Sequence, residues 1–159
     1  MTEMKPLSIC NLETAVILYR DMIEECQIID PRLKNVNTDS KPLRNMLQPA
    51  FDIENSLFFI LYVHGAPAGF IDSARVETDG GPDAWYIKSL YLLPGYRERQ
   101  YYAMMEHRIE REVRQRGIMD LFSTVLIGDD ETDSLWEDLG YTLETDKRTK
   151  NLAAFRAVS

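Results

Sequence analysis

Cysteine and histidine are scarce in this chain, with two of each: Cys10, Cys26, His64 and His107. No Cys-x-x-Cys pair occurs and the histidines stand alone, so no metal site of four spaced ligands is expected. Cys26 falls on an apolar helix face, where a buried free thiol is the ordinary outcome. Long hydrophobic runs are also missing. None approaches the roughly 18 residues that a membrane span needs. The stretch before Pro6 has no leader pattern, so the expected location is cytoplasmic, with no membrane partner. Positive charge is in deficit: 18 basic against 26 acidic side chains give a formal net charge of -8. Phosphate backbones are bound by basic surfaces, so nucleic acid is not an expected partner. A cationic or amine substrate is compatible with this balance, and so is plain solubility charge. Repeats, low-complexity tracts and linkers are absent too. The chain reads as one domain over residues 1–159, and a chain of 159 residues buries roughly two-thirds of its unfolded surface in a single core.

The patterns that are present alternate between the two periods of regular structure. Met4 to Cys10 reads as a short strand, and Asn11 as the cap of a following helix. Val16, Tyr19, Met22, Ile23 and Cys26 recur at three- and four-residue steps and make one apolar stripe, with Pro31 beyond its end. Arg32 to Ser40 is a polar loop. Pro42, Leu43, Met46 and Leu47 mark a second short helix, stopped near Pro49. Leu57 to Val63 is a nearly unbroken apolar run, which suits a strand covered on both faces, although pattern alone does not separate it from a buried helix. The turn His64 to Gly69 leads into a strand from Phe70 to Glu77, and the two runs pair as a hairpin. After a second turn, Asp79 to Asp83, a third strand runs from Trp85 to Leu93. The longest helix spans Arg97 to Arg116, with Tyr102, Met105, Ile109 and Val113 on its buried face. Met119 to Ile127 is a strand. Asp129 or Asp130 caps a short helix carrying Leu135, Trp136 and Leu139, which Gly140 ends as a left-handed C-cap. Tyr141 to Thr145 and Leu152 to Val158 form a last pair of strands around a basic turn, Lys147 to Lys150. The order β-α-α-β-β-β-α-β-α-β-β implies an α/β mixed sheet, and the unit from Trp85 to Ile127 is long enough for a parallel crossover.

Three segments carry a likeness. They are the hairpin Leu61 to Phe70, the strand and turn Ile87-Lys88-Ser89-Leu90-Tyr91-Leu92-Leu93-Pro94-Gly95-Tyr96-Arg97, and the late helix Ser134-Leu135-Trp136-Glu137-Asp138-Leu139-Gly140-Tyr141. In this order they resemble the GNAT superfamily of acyl-CoA-dependent N-acetyltransferases over nearly the whole chain. The resemblance implies acetyl-CoA as co-substrate. It implies that the backbone of Leu90, Tyr91 and Leu92 pairs with the pantetheine arm. It places the pyrophosphate at the start of the long helix, on the amides from Arg99 through Gln100, Tyr101 and Tyr102 to Ala103, with Arg97 and Arg99 neutralising charge. Free N–H groups at the positive end of a helix make an anion site in general.

The family's loop usually has small residues where this chain has Gln100 and Tyr102. Such residues let backbone approach phosphate closely. Tyr102 either crowds that approach or joins the stripe Tyr102-Met105-Ile109-Val113 in the core. Trp136 stands where the family often has a tyrosine that protonates the departing thiolate, and packing explains an indole there. No carboxylate lies on the strand of Tyr86, Lys88 and Ser89, so no base is assigned; Asp72 and Glu77 on the preceding strand are alternatives. The resemblance therefore implies transfer of acetyl from acetyl-CoA to a primary amine by direct attack. The alternative is a binding or regulatory module of the same fold. The acceptor, a small-molecule or peptide amine, has no motif of its own, and a homodimer through edge strands is open.

Overall fold

The computed structural model describes residues 1–77, 80–124, 135–144 and 147–151. Its strands are β1 (Thr2–Pro6), β2 (Ser56–Val63), β3 (Ala66–Val76), β4 (Ala84–Leu92), β5 (Asp120–Thr124), β6 (Thr142–Glu144) and β7 (Lys147–Asn151). The helices are α1 (Leu12–Ile29), α2 (Ser40–Leu47) and α3 (Arg99–Gln115), and residues 135–138 are also helical. One seven-stranded sheet has the order β1-β2-β3-β4-β5-β7-β6. Every neighbouring pair is antiparallel except β4 and β5, which α3 connects in parallel. Among the described residues no helix is long and apolar enough to cross a membrane.

The apolar run of β2 is a strand because it is covered on both faces. Leu57, Phe59, Leu61 and Val63 join the α3 residues Met105, Ile109 and Val113 in one core. Phe58 and Ile60 join Val16 and Leu18 of α1 and Leu43 and Leu47 of α2 in the other. Alternate residues thus feed opposite layers, as the two-residue period of a strand requires.

Several boundaries differ from the sequence reading. β1 ends at Pro6 rather than Cys10, and Ile9–Asn11 forms a 3₁₀ turn. Asn11 does occupy the N-cap position of α1, but its side chain turns back. Its Oδ1 accepts from the Ser8 amide at 2.7 Å and its Nδ2 donates to the Pro6 carbonyl at 2.9 Å. The β2–β3 turn is two residues, not six. His64 and Gly65 both have positive φ, 51° and 80°, the backbone that matches strand twist in tight hairpins. The basic stretch from Lys147, expected as a turn, is β7, hydrogen-bonded between β5 and β6. Ladder pairing outweighs the low strand propensity of lysine and asparagine there. The strand expected at 152–158 and the cap at Asp129 or Asp130 lie outside the described residues.

Candidate functional site

Two features of β4 coincide near Lys88. Ala84 to Ile87 pair with Asp120 to Ser123 of β5, and β4 has no partner beyond Ile87 on that side among the described residues. On its other side β4 stays bonded to β3 as far as Leu92, which pairs with Gly69. The register also slips at this point: Ser73 faces Ile87 and Asp72 faces Ser89, so Lys88 is an extra residue. Trp85 and Ile87 pack toward α3, and after the bulge so do Leu90 and Leu92, while Tyr91 turns to the α1 side. A β-bulge of this kind ends pairing and re-aims side chains. Among the described residues the segment Leu90-Tyr91-Leu92 therefore has β3 on one side and no strand partner on the other.

Gly69 holds this edge in place. A Cβ on it would lie 2.1 Å from the Tyr91 carbonyl oxygen and 3.0 Å from the Leu92 Cα. Only glycine allows β3 to lie this close to the open segment.

Pro94–Tyr96 forms a 3₁₀ turn after β4, and α3 begins at Arg99 with Glu98 as N-cap. The amides of Tyr101 and Tyr102 donate to the Glu98 carbonyl at 3.0 and 3.3 Å. Those of Arg99 and Gln100 find no backbone acceptor among the described residues, as expected for the first turn of a helix. Tyr102, Tyr101 and Ala103 pack half-buried against the α3 core. Tyr101 also meets the edge of Tyr96, with ring centroids 6.3 Å apart. The Gln100 side chain donates to Glu98 at 2.6 Å.

Both arginines named from the sequence have carboxylate partners. Arg97 donates to the Leu92 carbonyl at 2.9 Å and to Glu25 of α1 at 2.6 Å, and its guanidinium lies 5.6 Å from the Tyr91 ring centroid. Tyr91 donates to the same Glu25 oxygen at 3.1 Å. The Arg97 hydrogen bond holds the Glu25 carboxyl below its usual range. Burial, then the Glu25 carboxylate, push the Tyr91 phenol up to about 12. Arg99 pairs with Asp138. Glu25, which the sequence reading did not single out, thus ties α1 to the loop before α3; no short motif marks it.

On the α1 side of the bulge lies Asp72, one of the two carboxylates left open from the sequence. The residue is 5% exposed. Its Oδ1 is buried without a hydrogen-bond partner, and its Oδ2 lies 3.8 Å from Lys88 Nζ. Burial raises its pKa from 3.8 to about 6, against the opposing pull of Lys88. Glu77, the other, is exposed just past the end of β3. Trp136 is buried and packs edge-on to Tyr141 at 4.8 Å. Tyr141 donates to the buried Glu106 at 3.0 Å, which anchors this late segment to α3.

Two other clusters lie away from the opening. Glu106, His107 and Glu110 gather within 4.8 Å on α3, but Glu106 accepts from Tyr141 and Glu110 pairs with Arg114. A cleft of about 260 Å³ lies at the other end of β4, where Arg75, Arg116 and Asp120 line the region in which β4 and β5 are still paired.

Residues 20–141 match the family model described as the acetyltransferase (GNAT) family. The chain belongs to that family. It is thus an acetyltransferase of the GNAT type. No curated protein matches it. Solved structures do. The PaiA N-acetyltransferase of Thermoplasma acidophilum, in complex with coenzyme A, is 17% identical with a TM-score of 0.77, covering 95% of this chain and 99% of that one. A GCN5-related N-acetyltransferase from Ralstonia eutropha JMP134 is 26% identical with a TM-score of 0.70, covering 92% and 95%. RimL, a ribosomal L7/L12 alpha-N-protein acetyltransferase in complex with coenzyme A, is 12% identical with a TM-score of 0.76, covering 97% and 96%.

Proposed function

We propose that this GNAT protein moves an acetyl group from acetyl-CoA to a primary amine by direct attack of the amine on the thioester. The observation that carries the reading is the edge of β4 beyond Ile87, which has no strand partner among the described residues, next to the first amides of α3, which have no backbone acceptor among them. The pantetheine arm adds to the edge of Leu90, Tyr91 and Leu92 by main-chain hydrogen bonds, as an extra strand would. The amides of Arg99 and Gln100, with the helix dipole behind them, face the pyrophosphate. Tyr102 packs half-buried against the α3 core, with its phenol in electrostatic reach of Arg97. The amine arrives from the α1 and α2 side, where Tyr91, Lys88 and Asp72 lie. Holding amine and thioester together supplies much of the acceleration.

Calorimetric titration with acetyl-CoA tests the first half of this reading, and thiol release with a set of primary amines tests the second. Micromolar binding and a raised melting temperature are expected. The engagement of Arg97 by Glu25 and of Arg99 by Asp138 favours a second reading, a binding module that no longer takes the coenzyme. Absence of binding at millimolar acetyl-CoA would select it.

A further inference from the structure

We propose that Asp72 takes the proton from the attacking ammonium; the assignment rests on the acetyl-transfer reading above. The open part of β4 carries no carboxylate, since its residues from Lys88 are Lys, Ser, Leu, Tyr and Leu. Asp72 comes instead from β3, directly across from Ser89 and beside the extra residue Lys88. The bulge sets Asp72 across from Ser89, just past the last described β4–β5 pair, Ile87 with Ser123. One oxygen is sealed in the protein with no side-chain donor, so only the other faces the opening beside Lys88. The other forms an ion pair with Lys88 at 3.8 Å, which an incoming ammonium would share or replace. The Asp72 side chain is 8% exposed and that of Lys88 43%, so the pair opens outward past the lysine. An ammonium arriving beside Lys88 meets the Asp72 carboxylate there.

Asp72 takes one proton from the acceptor's ammonium and becomes a carboxylic acid, leaving a free amine. The amine nitrogen forms a bond to the thioester carbonyl carbon. The carbon–sulfur bond breaks, and the thiolate leaves with the second nitrogen proton. Asp72 returns its proton to solvent. A carboxylate that titrates near pH 6 is matched to this exchange. The ionisable groups facing it are Lys88 from β4, which stabilises its charged form, and Tyr19 from α1, whose own pKa is raised by burial and by Asp72. From β2 its neighbour is Phe58.

The test uses the full chain with acetyl-CoA and n-butylamine, tyramine and a tripeptide with a free N-terminus. With whichever amine is used fastest, kcat/KM should rise with pH through about 6 and then level. Asp72→Asn should lower kcat by about 10²- to 10⁴-fold and abolish that rise. Its Kd for acetyl-CoA should stay within about twofold of wild type, because Asp72 lies on the other side of β4 from the coenzyme edge. Lys88→Met should move the rise to higher pH, since it removes the cation that favours ionised Asp72; a purely structural Asp72 would not show this. An Asp72→Asn enzyme that keeps its kcat, or keeps the same rise, overturns the proposal while leaving the transfer reading intact. Wild-type protein that fails to bind acetyl-CoA, or binds it and acetylates none of these amines, overturns both.

Discussion

Replacing Asp72 by asparagine should stabilise the protein, and by an amount that grows with pH. Asp72 is held in a nearly dry site, and its pKa stands at about 6 against 3.8 for an ordinary aspartate. At about 1.4 kcal/mol per pH unit, that difference is worth about 3 kcal/mol of preference for the neutral form in the folded state. The folded pKa is the higher one, so the folded state binds the proton more tightly than the unfolded chain. This contribution is fully present below pH 3.8 and is lost as pH rises through about 6. Asparagine is neutral throughout. The stability difference between variant and wild type should therefore widen by up to about 3 kcal/mol between pH 4 and pH 8. For a chain of this size that is a relative rise in Tm of roughly 6–12 °C. Urea unfolding of both proteins at pH 4, 6 and 8 reads the change, and comparing across pH cancels the packing difference of the amide itself. A gap that stays constant within about 0.5 kcal/mol, or widens toward low pH, refutes the reasoning. The gain in stability should accompany the loss of turnover stated above, the usual relation at a site kept strained for chemistry.

Two further outcomes follow from the geometry. Gly69→Ala places a Cβ against backbone at 2.1 Å, so β4 must move; a loss of about 1–3 kcal/mol in urea unfolding is expected, together with weaker acetyl-CoA binding. A variant as stable as wild type would show that the close strand approach is not required. Glu25→Gln removes the carboxylate that competes for Arg97, and calorimetry should show acetyl-CoA bound about two- to fivefold more tightly, the modest size expected of a partly exposed pair. Unchanged or weaker binding would mean that Arg97 serves to brace α1 and does not meet the coenzyme.

The elements that repeat at one clear period were legible in the sequence. The stripe on α3, Met105, Ile109 and Val113, is buried as its spacing implies, and the run of β2 is covered on both faces. Tyr102, on that stripe, is half-buried against the same core, as are Tyr101 and Ala103 beside it. The errors fell where local pattern is weak. Lys147 to Lys150 looks like a turn because its residues are poor strand formers, and only pairing with β5 and β6 makes it a strand. The hairpin turn was read too long because Ala66, Pro67 and Ala68 have turn-like composition, yet the positive φ values of His64 and Gly65 close it in two residues. Asn11 has the right type for a cap, but the Ser8 amide and the Pro6 carbonyl take its side chain instead.

The candidate site divides along the same line. Leu90, Tyr91, Leu92 and Arg97 stand in one continuous stretch, and a stretch of strand, turn and helix start can be read in order. The amino-acid sequence alone determined the order of elements, the two apolar layers and the place of the helix start, because each follows from neighbours a few residues apart. Tertiary structure decided the rest. A bulge is a mismatch between two strands, so Lys88 as the extra residue exists only once β3 and β4 are paired. Glu25 meets Arg97 across 72 positions of chain, and Asp72 acquires its burial from α1, β2 and β4 together. Ionisation depends on what surrounds a group in three dimensions, so the character of Asp72 is set by packing and not by its neighbours in the chain.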